Sequence, residues 1–232
     1  MEFQTPEDTV PSSFITEELS RQLIGRPPAT GAWRDGDPSG DRLFVPLPGI
    51  LLESGREFNG AKIAYESWGQ LNEDASNAVL VLHALTGDSH AVGDASKAHP
   101  TEGWWSDIIG PGKAIDTDRF YVVAPNMFGG CQGSTGPASL DKSGREYANR
   151  FPYITIRDQV SAQKAFADAI GISRWHSIIG GSMGGMQVLE WAITYPDAVE
   201  RIAVIAAPAI SSADQIALNS VQVEAIKTDP AF

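Results

Sequence analysis

The segment Gly180-Gly181-Ser182-Met183-Gly184-Gly185 constrains this chain more than any other. It lies between a short apolar run at 177–179 and a helical stretch at 183–195, stopped by Pro196. The chain therefore has to turn from strand to helix within one residue, and Gly180, Ser182 and Gly184 satisfy the G-x-S-x-G pattern of such a turn. The reversal forces Ser182 into a strained backbone conformation, and a Cβ at 180 or 184 would collide across it. The strain holds the Ser182 hydroxyl out over the sheet edge, at the N-terminus of the next helix. Free backbone N–H groups and the helix dipole favour a developing negative charge there. Ser182 is the candidate nucleophile, with Gly180, Gly181, Gly184 and Gly185 as elbow glycines. A phosphate-binding loop is the competing reading, but it lacks its lysine, because Met186-Gln187 follows Gly185.

The rest of the pattern supplies a sheet for this elbow. Residues 1–46 carry Pro6, Pro11, Pro27, Pro28 and Pro38 with no sustained period, and read as an irregular segment. Stretches 50–55 and 62–68 read as strands joined across the turn signal Asn59-Gly60. Ala78-Val79-Leu80-Val81-Leu82 is a continuous apolar run, as expected of a strand buried on both faces, and 120–124 repeats that character. Thr155 and Asp158 form a helix start, and Gly171 can end that helix. An apolar strand follows at 201–206, and Ser211 or Ser212 can cap a last helix through 226. Strands alternate with helices. The expected fold is α/β, with a mainly parallel sheet covered on both faces and opened by an antiparallel hairpin. Ligands in such sheets sit at the carboxyl ends of the strands.

Composition narrows the partners. Of 232 residues, 42% are hydrophobic and 20% charged, which is ordinary for a globular protein. The net charge of -12 repels phosphate backbones, so nucleic acid is not an expected partner. Cys131 is the single cysteine, which fits a reducing compartment. The acidic N-terminus lacks the apolar run of a signal peptide, and the longest apolar stretches, 78–82 and 202–210, are too short to span a bilayer. A soluble, cytoplasmic protein without a membrane partner is expected. No His or Cys cluster has metal-ligand spacing, so no metal is expected.

An activated serine needs an oxyanion hole, a base and an acid. One oxyanion donor is the N–H after the nucleophile, here Met183, and the other comes from the loop after the third strand. That loop is His83-Ala84-Leu85-Thr86-Gly87, with Leu85 as the candidate donor. The base is harder to find. The elbow architecture orders the triad as Ser, acid, His, yet His83, His90, His99 and His176 all precede Ser182. Each is expected to be structural or on the surface. Carboxylates follow Ser182 but no histidine does, and the sequence stops after a helix. These features lead to the expectation of an incomplete core whose acid and base lie on a continuation or on another polypeptide.

Further segments accompany the elbow. They are Leu82-His83-Ala84-Leu85-Thr86-Gly87-Asp88-Ser89-His90, Gly103-Trp104-Trp105, Gly110-Pro111-Gly112-Lys113 and Asp116-Thr117-Asp118-Arg119-Phe120. Asn126, Gly129-Gly130-Cys131-Gln132-Gly133-Ser134-Thr135-Gly136-Pro137, Phe151-Pro152 and Thr155-Ile156-Arg157-Asp158 complete the set. On these motifs the chain resembles the homoserine O-acetyltransferases over about residues 45–228. The resemblance implies an α/β-hydrolase core, here 47–210, with a helical lid beginning at 211–232 and the C-terminal part of the core absent. It implies a ping-pong reaction, in which Ser182 takes the acetyl group of acetyl-CoA and passes it to L-homoserine for methionine synthesis. Leu85 and Met183 would hold the oxyanion, with no cofactor beyond the acetyl-CoA substrate. The resemblance also implies a homodimer formed through lid helices, as is usual in this family. Cys131 is then a loop residue near the site. A succinyl-CoA donor or a serine acceptor stays open, as does an esterase on the same fold. So does the reading that this 232-residue chain is inactive by itself.

Overall fold

A computed structural model describes residues 31–228. Most of the N-terminal stretch expected to be irregular, and the last four residues, lie outside the described residues. The described part forms a six-stranded sheet in the order β1-β4-β8-β5-β9-β10. These strands are β1 (Leu43–Pro46), β4 (Lys62–Trp68), β5 (Ala78–Leu82), β8 (Tyr121–Pro125), β9 (Ser177–Gly181) and β10 (Ile202–Ile205). β1 and β4 run antiparallel, as does the β4–β8 pair, while β8, β5, β9 and β10 are mutually parallel. The expected mostly parallel α/β sheet with an antiparallel opening is present.

The antiparallel opening differs from the expected hairpin. β2 (Ile50–Leu51) pairs with β3 (Glu57–Phe58) in a small separate ribbon, and β4 pairs instead with β1. Asn59-Gly60 therefore does not join partner strands. Gly60 does adopt a positive φ of 82°, as a turn glycine requires, but the strands on either side of the turn take other partners. β1 falls inside the stretch expected to be irregular. A second ribbon, β6 (Ile109–Gly110) with β7 (Ile115–Asp116), fills the connection between β5 and β8.

β5 sits in the middle because all five of its residues are apolar and buried. Its side chains alternate between two cores, as a pleated strand requires. Leu80 and Leu82 pack with Val123, Phe166, Ile178, Val188 and Trp191, whereas Val79 and Val81 pack with Val122, Ala124, Ile109 and Ile115. Helices α1 (Ile156–Ala169) and α2 (Met183–Thr194) cover the first face. α1 opens with a capping box, Thr155 accepting from the Asp158 N–H and Asp158 accepting from the Thr155 N–H. The helices are tied by buried amides: the Trp191 indole donates to Gln163 at 2.7 Å, and Gln163 donates to Gln187 at 2.5 Å. Helix α3 (Ala213–Lys227) starts at a capping box built on Ser212 and Gln215. No helix among the described residues is long and apolar enough to cross a membrane.

β5 has β8 on one side and β9 on the other, so the chain reverses its direction of travel across the sheet at β5. The carboxyl ends of β5 and β9 flank that switch point, where ligands of such sheets bind.

Candidate active site

Ser182 joins β9 directly to α2. Its backbone angles are φ 54° and ψ -120°, a conformation that costs a residue with a Cβ on the order of 1–3 kcal/mol. The surroundings enforce it. The Ser182 N–H donates to Ile205 O at 2.9 Å, and Ser182 O accepts from the Met186 N–H at 3.1 Å. Two glycines permit the turn through close approach of backbone. A Cβ on Gly180 would stand 2.5 Å from Gly184 O, and one on Gly184 would stand 2.2 Å from Leu82 O. Gly185 faces Ala207 closely, whereas Gly181 has room for a side chain. The result is an exposed serine at the N-cap of α2, its hydroxyl making no capping hydrogen bond. Met183 begins the helix, so its N–H belongs to the first turn, which has no intrahelical acceptor.

The loop bearing Leu85 lies beside this turn. Register pairs Leu82 with Gly180 across β5 and β9, so the two loops leave neighbouring strand ends. A Cβ on Gly184 would come within 2.9 Å of His83 O, which measures how closely the elbow abuts the start of the Leu85 loop. The Leu85 side chain is 73% exposed and does not pack into the core. The loop is braced by a turn from the Gly87 N–H to Ala84 O at 2.9 Å.

All four histidines are engaged elsewhere. His83 is buried, with Nδ1 donating to Ala84 O at 2.7 Å and Nε2 accepting from the Met127 N–H at 3.1 Å. Those partners fix the neutral tautomer, and burial holds its pKa below the usual imidazole value. His90 donates to Glu66, His99 stacks on His90, and His176 lies against Phe120 and Arg201. None of them hydrogen-bonds Ser182. Cys131 is exposed in the loop after β8.

The structure also brings together residues that linear spacing did not. Glu66, His90 and His99 are all buried, with ligand-type atoms within 4.8 Å of one another. They stand 24 and 9 residues apart in sequence, one on a strand and two in the connection after β5, so no motif spacing joins them. One signal was available. In Lys62–Trp68, Glu66 falls on the same alternating face as Ala64, which placed a carboxylate at a buried position.

The fold and the elbow define a class. Residues 77–232 match the alpha/beta hydrolase fold family, and the chain belongs to it. Within that family, the chain is 62% identical over 233 residues to a homoserine O-acetyltransferase of Leifsonia xyli subsp. xyli, covering 100% of this chain and 58% of that protein. It is 51% identical to a homoserine O-succinyltransferase of Halothiobacillus neapolitanus, covering 95% of this chain and 53% of the relative. Among solved structures it resembles esterase E22, at 37% identity and a TM-score of 0.74, with 82% of this chain and 53% of that one covered. It also resembles a homoserine O-acetyltransferase from Bacillus anthracis, at 35% identity and a TM-score of 0.64, with 69% and 45% covered. The chain thus spans between about half and three-fifths of the length of these curated relatives.

Proposed function

We propose that the protein containing this chain is an acyltransferase that moves an acetyl group from acetyl-CoA to the hydroxyl of L-homoserine. The observation that carries the choice of substrates is the 62% identity to a homoserine O-acetyltransferase along the whole chain. The elbow supports the chemistry but does not select substrates, since it serves esterases equally. In this reading the Ser182 oxygen attacks the thioester carbonyl carbon, and the negative charge moves to the carbonyl oxygen. The N–H groups of Met183 and Leu85 receive that oxyanion. The carbon–sulfur bond breaks, CoA leaves as the thiol, and an acetyl ester remains on Ser182. The homoserine hydroxyl then attacks the ester, takes the acetyl group and restores the Ser182 hydroxyl.

Both halves need a base to accept the proton and return it. The four histidines are engaged elsewhere, so among the described residues none of them serves Ser182 as base, and we assign base and acid to residues outside this chain. The reach of the relatives to nearly twice this length supports that assignment. On this account the 232-residue chain alone does not turn over. α3 carries Ile216, Leu218, Val221 and Ile226 exposed. We read it as the start of a lid through which a homodimer forms.

Esterase activity is the second reading, and the likeness to esterase E22 favours it. The two differ in whether water reaches the acyl-enzyme. CoA release from acetyl-CoA by the full-length protein, measured with and without homoserine, decides between them. Release that depends on homoserine supports transfer. Equal release without it establishes a hydrolase.

A further inference from the structure

Glu66 stands at 2% exposure on β4, one strand beyond β8 from the β5 and β9 ends. A buried carboxylate is costly unless its lone pairs are satisfied. Two consecutive residues of the Leu85 loop satisfy it. Ser89 Oγ donates to Oε1 at 2.9 Å, and His90 Nδ1 donates to Oε2 at 2.8 Å. The same end of the loop is pinned again where the Trp104 indole donates to Asp88 O at 3.0 Å and the His90 N–H donates to Asp88 Oδ1 at 2.8 Å. His99 stacks on His90 with ring centroids 3.8 Å apart and planes 14° from parallel. Buried Arg42 lies 3.9 Å from Asp88 and donates to Ala98 O and to Gln132.

Glu66, His90 and His99 are residue types that hold cations, but both carboxylate oxygens of Glu66 already accept hydrogen bonds, from Ser89 and from His90. His90 Nδ1 is already a donor to Glu66. His99 Nε2 accepts from the Asp41 N–H at 3.3 Å, which leaves its proton on Nδ1, the atom that faces Glu66. The cluster is arranged to hold the loop.

We propose that Glu66 is a positioning residue for acyl transfer at Ser182, acting through Ser89 and His90 to fix the loop that carries the Leu85 N–H. This inference rests on the acyltransferase reading above. The loop then has two anchors: His83 bonds its first turn to Met127, and Glu66 holds its far end. An oxyanion donor works only within about 2.7–3.1 Å of the developing charge, so loosening the far anchor costs rate and not substrate binding. Charge reinforces the anchor. Burial opposes a charged His90, but the hydrogen bond to Glu66 and the charges of Glu66 and Asp88 outweigh it and hold His90 above the usual imidazole value. Burial holds His99 below that value, helped by Arg42 and His90 and opposed by Glu66 and Asp88. The imidazolium at His90 is present at low pH and lost as pH rises through its raised value, so the anchor weakens on the basic side.

The test uses the full-length protein and compares wild type with Glu66→Gln and Ser89→Ala. It reads single-turnover acetylation of Ser182, KM for acetyl-CoA, and the pH profile of acetylation, with thermal unfolding as the check on folding. Glu66→Gln is expected to slow acetylation by about 10- to 100-fold with KM held within about threefold, and Ser89→Ala by about 3- to 10-fold. The basic limb of the profile moves to lower pH in Glu66→Gln. If Glu66→Gln does not fold, Ser89→Ala and the wild-type basic limb carry the test. Wild-type acetylation rates in both variants overturn the positioning role, as does stoichiometric metal that leaves with chelator and takes activity with it. A wild type that never acetylates Ser182 sinks the acyltransferase reading along with this inference. A wild type that acetylates beside an unaffected Glu66→Gln sinks the positioning role alone.

Discussion

The loops leaving β5 and β9 start from paired residues, Leu82 and Gly180, yet they are held by different physics. The β9 loop has no length to spare: strand becomes helix at Ser182, and backbone packed on backbone leaves no room for a Cβ at 180 or 184. The β5 loop is longer, and over residues 83–90 it is held by side chains: His83 at the start, then Ser89 and His90 on Glu66. One half of the proposed oxyanion hole is thus fixed by backbone strain and the other by buried polar contacts. The first is intolerant of added volume, and the second is sensitive to charge and pH.

Substitutions can break that contrast. Ser182→Ala is expected to have the largest effect, lowering turnover of the full-length protein by at least about a thousandfold while leaving its melting temperature near wild type or slightly higher. Gly184→Ala comes next. The added methyl has nowhere to go between α2 and Leu82 O, so stability falls by about 3 kcal/mol in denaturant unfolding. A change below about 0.5 kcal/mol would show that the elbow is not sterically locked.

The pH response sharpens the other half. Folded His83 resists the proton that the unfolded chain accepts, so its contribution to stability is lost as pH falls below the ordinary value of 6.5. His90, with its raised value, contributes in the opposite sense and is most stabilising on the acid side. Between pH 7 and 5 the melting temperature of His83→Gln should fall less steeply than that of wild type, and that of His90→Gln more steeply. Identical slopes would remove electrostatics from the account of the β5 loop. The smallest effect serves as a control away from both loops: Thr155→Ala removes the α1 cap and costs about 1 kcal/mol, with acetylation of Ser182 unchanged.

The same contrast explains what could be read without coordinates. Local rules were enough for the elbow, for the apolar run of β5 and for the Thr155–Asp158 capping box, because each is decided by residues within a few positions of one another. They failed where pairing is long-range. Asn59-Gly60 announced a turn, but β4 took β1 as its partner, a strand four residues long in a stretch rich in Pro and Gly. They failed again at Glu66, whose partners Ser89 and His90 are reached only once β4 and the β5 loop are folded together. His83, His90 and His99 were expected to be structural or on the surface, and each proves buried in packing contacts, but the cluster they build around Glu66 had no sequence signature.

The central claim is that Ser182 carries the acyl group. The direct measurement is peptide-level mass spectrometry of the full-length protein mixed with acetyl-CoA and quenched within one turnover, with and without homoserine. The account predicts an acetyl adduct on the peptide containing Ser182, discharged when homoserine is added and missing in Ser182→Ala. Acetylation at another residue, or acetyl-homoserine formed at the wild-type rate by Ser182→Ala, would contradict it.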